Sequence, residues 1–204
     1  MKNLENIHAN KLFMINKRIF DIVVSLLLLP LLFIIGITLL LFNLFFNSGK
    51  LFFIQERMGK NCNVFNLIKF RTMTTVEEIT RKYDEPIETN RITPLGSMLR
   101  KMRIDELPQI LNVLKGDMSL IGPRPDYYVH ALEYLNNVEG YRERYIIRPG
   151  ITGLSQIRLG YVETLEATSK KTSIDNYYIN NMGYIIELKI IVNTIIIVIR
   201  CLGK

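Results

Sequence analysis

The sequence predicts an α+β fold, mostly helical, in which a membrane-embedded N-terminal helix precedes one small domain containing a short β-hairpin. Three observations carry this reading. Residues 22–49 form a run of 28 uncharged positions rich in Leu, Ile and Phe, longer than the roughly 20 that enter a bilayer core. Two aromatic and β-branched runs, 51–55 and 64–70, flank Gly59-Lys60-Asn61 and read as a hairpin. Elsewhere strand signals are few and apolar residues recur at helical spacing, as at Leu107, Ile110, Leu111 and Leu114. The 204 residues suffice for one compact domain and an attachment, divided as 1–50 and 51–204.

Taken in order, residues 11–18 mix basic and apolar side chains, as a segment lying on lipid headgroups does. The run that follows is too long, and begins too late, for a cleavable signal peptide. A spanning helix is the ordinary reading, but positive charge sits on both flanks, at Lys11, Lys17 and Arg18 before it and at Lys50, Arg57 and Lys60 after it. Such charge marks cytoplasmic loops. Pro30 and Gly36 lie inside the run, and a proline there removes a backbone hydrogen bond. The expectation is therefore a re-entrant helix that breaks and returns to its side of origin, with Ser25 satisfying a freed carbonyl. Residues 74–93 read as a surface helix followed by a mobile loop, and 94–102 as a helix. A further helix starts near Pro108 with Asp105 at or just before its N-cap. Helices are also expected at 127–136 and 167–181, with a turn at 148–150; 140–145 has no clear pattern. Residues 188–199 are almost wholly apolar, too short to span, and read as a buried or interface-lying helix.

The net charge of +7 favours an anionic partner: nucleic acid, a phospholipid surface or a phosphate-bearing substrate. Cys62 and Cys201 are far apart and His8 and His130 are solitary, which excludes a zinc site, a disulfide framework and a nucleophile–histidine pair. His130 is read as a packing or surface residue. Asp105 and Glu106, adjacent at a helix mouth, suit a cap, a metal ligand or a nucleophile alike. Arg124 lies between Pro123 and Pro125, whose fixed φ angles reduce the entropy lost when a guanidinium grips an anion. Its planar fork binds phosphate oxygens in pairs, and Arg148 before Pro149 repeats the device. Lys69 and Arg71 add charge. Carboxylates among cations, without a His or Cys cluster, suit Mg²⁺ bridging a diphosphate. Asp105 then attacks phosphorus to form an acyl-phosphate, with Glu106 as base. The non-enzymatic alternative is a membrane-tethered basic module for acidic phospholipid or nucleic acid, in which Asp105 is only a cap. It requires steeply salt-dependent binding and no carboxylate.

Five motifs carry a resemblance: Lys17-Arg18-Ile19-Phe20-Asp21; Lys69-Phe70-Arg71-Thr72-Met73; Asp105-Glu106-Leu107-Pro108-Gln109; the segment 111–119 with Gly122-Pro123-Arg124-Pro125; and Arg148-Pro149-Gly150-Ile151-Thr152-Gly153. In this order they resemble the bacterial sugar transferases, and more narrowly the small monotopic polyprenyl-phosphate phosphoglycosyl transferases, a branch without a multi-span N-terminal region. The resemblance implies a re-entrant helix that anchors a small cytosolic catalytic domain on the cytosolic face of the bacterial cytoplasmic membrane. It also implies transfer of a sugar-1-phosphate from a UDP-sugar to undecaprenyl phosphate, with release of UMP, to start a lipid-linked glycan. Asp105 would be nucleophile and Mg²⁺ ligand, and Glu106 the acid–base residue. Lys69, Arg71, Arg100, Arg124, Arg148 and Asp175 would bind substrate. The implied partners are the two substrates, the inner leaflet and downstream glycosyltransferases, not nucleic acid. Two departures stand out. Pro30 falls about one helical turn before the family's Ser-Pro break, and Gly153-Leu154-Ser155-Gln156 replaces Gly-Trp-Ala-Gln.

Overall fold

The computed structural model describes residues 11–46, 49–75, 85, 88–159 and 164–200. Helix α1 runs from Lys11 to Phe46 as one element with Pro30 inside it. Its buried positions are Phe13, Lys17, Asp21, Ser25, Leu32, Leu39 and Asn43, spaced by four or seven residues along one stripe of a 3.6-residue helix. Polarity is inverted along this helix. Most of the buried stripe is polar or charged, whereas Leu27, Leu31, Phe33, Ile34, Leu40 and Leu41 face outward. An apolar surface of that kind is costly in water and neutral against lipid tails. The helix is long and apolar enough to cross a membrane.

The domain satisfies most of the buried polar stripe. Lys17 Nζ donates to Glu187 at 2.7 Å, Asp21 accepts the Leu120 N–H at 3.0 Å, and Asn43 Oδ1 accepts from Arg71 Nη2 at 3.3 Å. Beside the stripe, Arg18 donates to the carbonyls of Leu114 and Met118, each at 3.4 Å. The lead-in expected on headgroups is thus docked into protein at Lys17 and Arg18, because buried acceptors await both charges. The Ser25 hydroxyl has no hydrogen-bond partner among the described residues, so it does not satisfy a carbonyl freed by Pro30.

After α1 come strands β1 (Phe52–Met58) and β2 (Val64–Phe70), antiparallel with Phe52 opposite Phe70 and Met58 opposite Val64. This is the expected hairpin. Helix α2 (Pro94–Lys101) starts with Pro94 in its first turn and Thr93 Oγ1 accepting the Gly96 N–H at 3.0 Å, a proline–cap combination suited to a helix start. A 3₁₀ turn, Ile104–Glu106, leads to α3 (Gln109–Lys115), which stops at Gly116 with φ 97°, a left-handed position favouring glycine. Strand β3 (Ser119–Ile121), helix α4 (Tyr128–Asn137), a 3₁₀ turn at Arg142–Tyr145 and strand β4 (Gly150–Thr152) follow. Helices α5 (Leu154–Leu159), α6 (Leu165–Asn180) and α7 (Tyr184–Ile199) close the chain.

Strands β3 and β4 pair in parallel, Ser119 against Gly150 and Ile121 against Thr152; the sequence reading had only a turn at 148–150 and no strand. Three-residue strands show no alternation to read. The helix expected within 74–93 lies mainly outside the described residues, which include a 3₁₀ turn at Thr89–Arg91. His130 is buried against the Tyr127 ring, a packing residue as expected. One hydrophobic cluster joins Leu28, Leu32 and Leu39 of α1 to Phe70, Leu99, Ile104, Leu107 and Ile110, so α1 directly underlies the 104–110 turn.

The two strands meet where backbones touch. A Cβ on Gly150 would lie 2.0 Å from the Gly122 nitrogen, and one on Gly153 2.3 Å from the Gly122 oxygen. The glycines of the Gly-Pro-Arg-Pro and Arg-Pro-Gly segments are therefore required by close approach. Gly150→Ala is expected to cost at least about 2 kcal/mol through overpacking, measured by thermal unfolding in detergent. An unchanged midpoint would contradict the contact.

Candidate active site

Asp105 and Glu106 occupy the 3₁₀ turn after Arg103, whose φ of 58° is left-handed. A non-glycine residue there costs on the order of 1 kcal/mol, and it turns the chain sharply out of α2. Helix α3 is preceded by Pro108 and has no side-chain cap. Asp105 is therefore not its N-cap, which corrects the sequence expectation: the extra turn of 3₁₀ helix and Pro108 separate the carboxylate from the α-helix.

Both carboxylates are buried, and their surroundings differ. Glu106 receives both guanidinium nitrogens of Arg124, one at 3.2 Å to Oε2 and the other to Oε1. Lys69 Nζ at 3.5 Å and Arg103 Nη1 at 3.6 Å add to Oε1. Burial alone would raise this carboxyl; the charges of Arg124 and Lys69 outweigh it and hold Glu106 well below the ordinary carboxylate range. Asp105 accepts no hydrogen bond among the described residues. Burial first, and then the neighbouring Glu106 charge, push its carboxyl up to about 6, against the pull of Lys69, Arg100 and Arg124. Burial and the Arg124 charge lower Lys69 to about 8. Two adjacent carboxylates thus have opposite characters, one clamped and one bare.

The Pro123–Asp126 loop that carries Arg124 is held at every carbonyl. Pro123 O accepts from Gly150 N at 2.9 Å and Asp126 O from Met58 N at 3.1 Å. Arg124 O accepts from Arg144 Nη2 at 3.0 Å and Pro125 O from Arg57 Nη1 at 3.3 Å. Arg144 is fully buried. It binds Asp126 Oδ2 at 2.7 Å and Asp175 Oδ2 at 2.8 Å, stacks near the rings of Tyr141 and Tyr145, and shares Asp126 with Lys171. A buried cation held by two carboxylates is rigid, since removing either partner leaves an uncompensated charge costing roughly 3–5 kcal/mol.

The structure brings Asp105, Glu106, Lys69, Arg100 and Arg124 together. It does not bring Arg71, Arg148 or Asp175 to them. Arg71 is buried and donates to the Lys50 carbonyl at 2.6 Å and to Asn43 at 3.3 Å, tying the end of α1 to β2. Arg148 Nε donates to the Gly116 carbonyl at 2.8 Å. Asp175 lies buried beneath Arg144. The physical reason is shared: each of these charges meets a committed partner within the fold before it reaches the pocket. Sequence reasoning missed Arg57, Arg103 and Arg144. For Arg103 the signal was its i−3 spacing to Glu106; for Arg57 and Arg144 there was none, because a hairpin and a patternless turn carry them.

Among the described residues no group of three or more His, Cys, Asp or Glu could hold a metal. The bare oxygens of Asp105 nevertheless fit Mg²⁺, which takes one or two carboxylates and completes its shell with phosphate and water.

A family profile described as bacterial sugar transferase matches residues 12–201. Over 149 residues the chain is 40% identical to the UDP-N-acetylgalactosamine-undecaprenyl-phosphate N-acetylgalactosaminephosphotransferase of Aeromonas hydrophila, covering 73% of this chain and 35% of that protein. It is 37% identical over 188 residues to the UDP-glucose:undecaprenyl-phosphate glucose-1-phosphate transferase of Klebsiella pneumoniae, covering 91% and 40%. It is 39% identical over 188 residues to the uncharacterized sugar transferase EpsL of Bacillus subtilis (strain 168), covering 89% and 86%. The chain thus spans well under half the length of the first two relatives and most of the third.

The raised carboxyl of Asp105 has a stability consequence. Below the unfolded-state value near 4, the carboxyl is protonated in both states; as pH rises through about 6, the folded protein comes to hold a buried charge that the unfolded chain carries more easily. In magnesium-free detergent the parent should therefore lose stability relative to Asp105→Asn between pH 4 and pH 8, by on the order of 2 kcal/mol. Parallel melting curves that never diverge would contradict it.

Proposed function

The chain belongs to the bacterial sugar transferase family, and from that premise we propose that it moves a sugar-1-phosphate from a UDP-sugar to undecaprenyl phosphate, releasing UMP and starting a lipid-linked glycan. The observation that carries this is the bare, buried Asp105 carboxylate beside a fully engaged Glu106 and the cations Lys69, Arg100, Arg103 and Arg124, in a turn whose flanking apolar residues pack on α1. The names of the relatives agree with the substrate classes.

An Asp105 oxygen attacks the phosphorus that bears the sugar. The anhydride bond to the uridine phosphate breaks, its electron pair leaves with UMP, and an acyl-phosphate joins Asp105 to the sugar phosphate. A phosphate oxygen of the lipid then attacks the same phosphorus, the bond to Asp105 breaks, and the carboxylate returns. The new anhydride belongs to the lipid diphosphate sugar, so one anhydride has been exchanged for another. Asp105 would hold Mg²⁺, which when bound would supply neutralisation of the diphosphate charge. Arg124, fixed at its backbone, presents its guanidinium without reorganisation. A carboxylate held as low as Glu106 is a weak base, so Glu106 orients Arg124 and Lys69 rather than moving a proton. Arg144, Asp126 and Asp175 act behind it by holding the Arg124 loop.

The reading places the domain on the cytosolic face. Both ends of α1 are bound to the same domain, Lys17 through Glu187 and Asn43 through Arg71, and its middle shares the domain's hydrophobic cluster. This supports a re-entrant path: a helix whose two ends grip one body does not deliver them to opposite sides of a bilayer.

Purified protein given Mg²⁺ and UDP-sugar labelled in the sugar-bearing phosphate is expected to release UMP and retain label, and Asp105→Asn to lose both by at least about 10³-fold. A labelled Asp105→Asn protein would sink the covalent route. In a Cys62→Ser, Cys201→Ser background, Asn16→Cys and Gln55→Cys should both resist an impermeant thiol reagent in intact cells and react after permeabilisation. Reaction of one alone in intact cells would show a spanning helix.

A further inference from the structure

Arg57 stands on the same face of the hairpin as Lys69. Phe53 lies opposite Lys69, Gln55 opposite Leu67 and Arg57 opposite Phe65, and opposed residues, like alternate residues along a strand, share one face of a sheet. From that face Lys69 reaches Glu106, and Arg57 reaches the Pro125 carbonyl at 3.3 Å, one residue from Arg124. Its other partner is the amide oxygen of Gln55, and its buried Nε–H has no acceptor. No carboxylate pairs with Arg57 among the described residues, since Asp126 is held by Arg144 and Lys171. A half-buried cation left without a carboxylate is unusual, because charges withdrawn from water are ordinarily paired. The surrounding charges show where it stands. Burial, and then the Arg124 charge, lower the Arg57 guanidinium, while Asp126 and Glu106 pull the other way. Burial, then Arg124, and more weakly Arg57 lower Lys69. The cations that act most on Asp105 are instead Lys69, Arg100 and Arg124. The positive charges thus form a row about Lys69 and Arg124, with Arg100 at the Asp105 end and Arg57 at the Glu106 end.

In an in-line displacement the attacking and leaving oxygens lie on opposite sides of phosphorus. With Asp105 attacking, the departing uridine phosphate lies away from Asp105, toward the end of the row where Arg57 stands. We propose that Arg57 binds the uridine-bearing phosphate of the UDP-sugar and holds it as UMP leaves. As the phosphorus–oxygen bond breaks, its electron pair passes to the UMP phosphate, and the guanidinium, a permanent cation with a planar fork, takes up that charge. No proton changes owner. The proposal rests on the covalent reading given above, and it gives the leaving group a residue of its own.

The test uses the full chain, with protein labelling from Mg²⁺ and phosphate-labelled UDP-sugar as the readout and UMP or uridine as competitor. The two competitors differ by one phosphate. Arg57→Lys keeps the charge and a donor for the Pro125 carbonyl, whereas Arg57→Gln keeps an uncharged donor alone. The parent's preference for UMP over uridine should survive in Arg57→Lys to within about threefold and fall at least about tenfold in Arg57→Gln, the worth of one charge-assisted hydrogen bond. Inhibition by uridine should be the same in all three proteins. An undiminished preference in Arg57→Gln overturns the proposal. So does an equal loss in both variants, which would make Arg57 a tether of the Arg124 loop and no more. Should Arg57→Gln not be recoverable, the parent is treated with phenylglyoxal, an arginine reagent, and Arg57 is followed by mass spectrometry. Protection by UMP but not by uridine supports the proposal, and equal modification with either overturns it. A parent that takes no label fails the covalent reading and this proposal with it; a labelled parent with an unchanged preference in Arg57→Gln sinks the proposal alone.

Discussion

Four consecutive carbonyls, from Pro123 to Asp126, are each claimed by a donor from elsewhere in the chain, and the geometry of the site depends on that constraint. Two prolines remove backbone donors from the segment, so its carbonyls must be satisfied from outside. The donors come from β1, β4 and the buried Arg144. Fixing the loop from several directions means that Arg124 arrives at Glu106 with its backbone already paid for. It also makes distant residues matter to the site. Asp126 and Asp175 hold Arg144, Arg144 holds the Arg124 carbonyl, and the close approach of Gly122 to Gly150 keeps β3 and β4 together at the base of the loop.

The second organising feature is the inside-out helix α1. A surface helix ordinarily hides its apolar stripe and shows its polar one; here Lys17, Asp21 and Asn43 turn inward, and Leu27, Leu31, Ile34, Leu40 and Leu41 turn out. The helix shares one hydrophobic cluster with the residues that flank the carboxylates. In the proposed reading this sets the height of the reaction centre relative to the lipid. The pocket cannot drift from the headgroup plane without breaking the core that forms it.

Much of this was legible in the sequence, for identifiable reasons. The hairpin announced itself by β-branched runs about a glycine, and the main helices by periodicity and by Thr93-Pro94. The carboxylates, Lys69 and Arg124 stood out by residue type and setting and Arg100 by the family resemblance, and the fold places them side by side. Strands β3 and β4 were not readable, because three residues carry no period and their pairing is enforced by glycine contacts across about thirty positions of sequence. The roles of Arg71, Arg148 and Asp175 were not readable either. A charged residue in a motif has the same letter whether it meets a ligand or a buried partner, and only packing separates the two. Asp105 looked like a helix cap because a cap and a bare carboxylate share residue type and position; the inserted 3₁₀ turn distinguishes them.

The grip of Arg124, Lys69 and Arg103 on Glu106 has one more consequence. Arg124, Lys69 and Arg103 already share the Glu106 anion, so the site behaves as an ion exchanger holding its own resident counterion. An arriving diphosphate competes for contacts already in use, and its binding energy is a difference rather than a sum. Stray inorganic anions gain little there. In the proposed reaction, departure of UMP would let Arg124 and Lys69 return to Glu106.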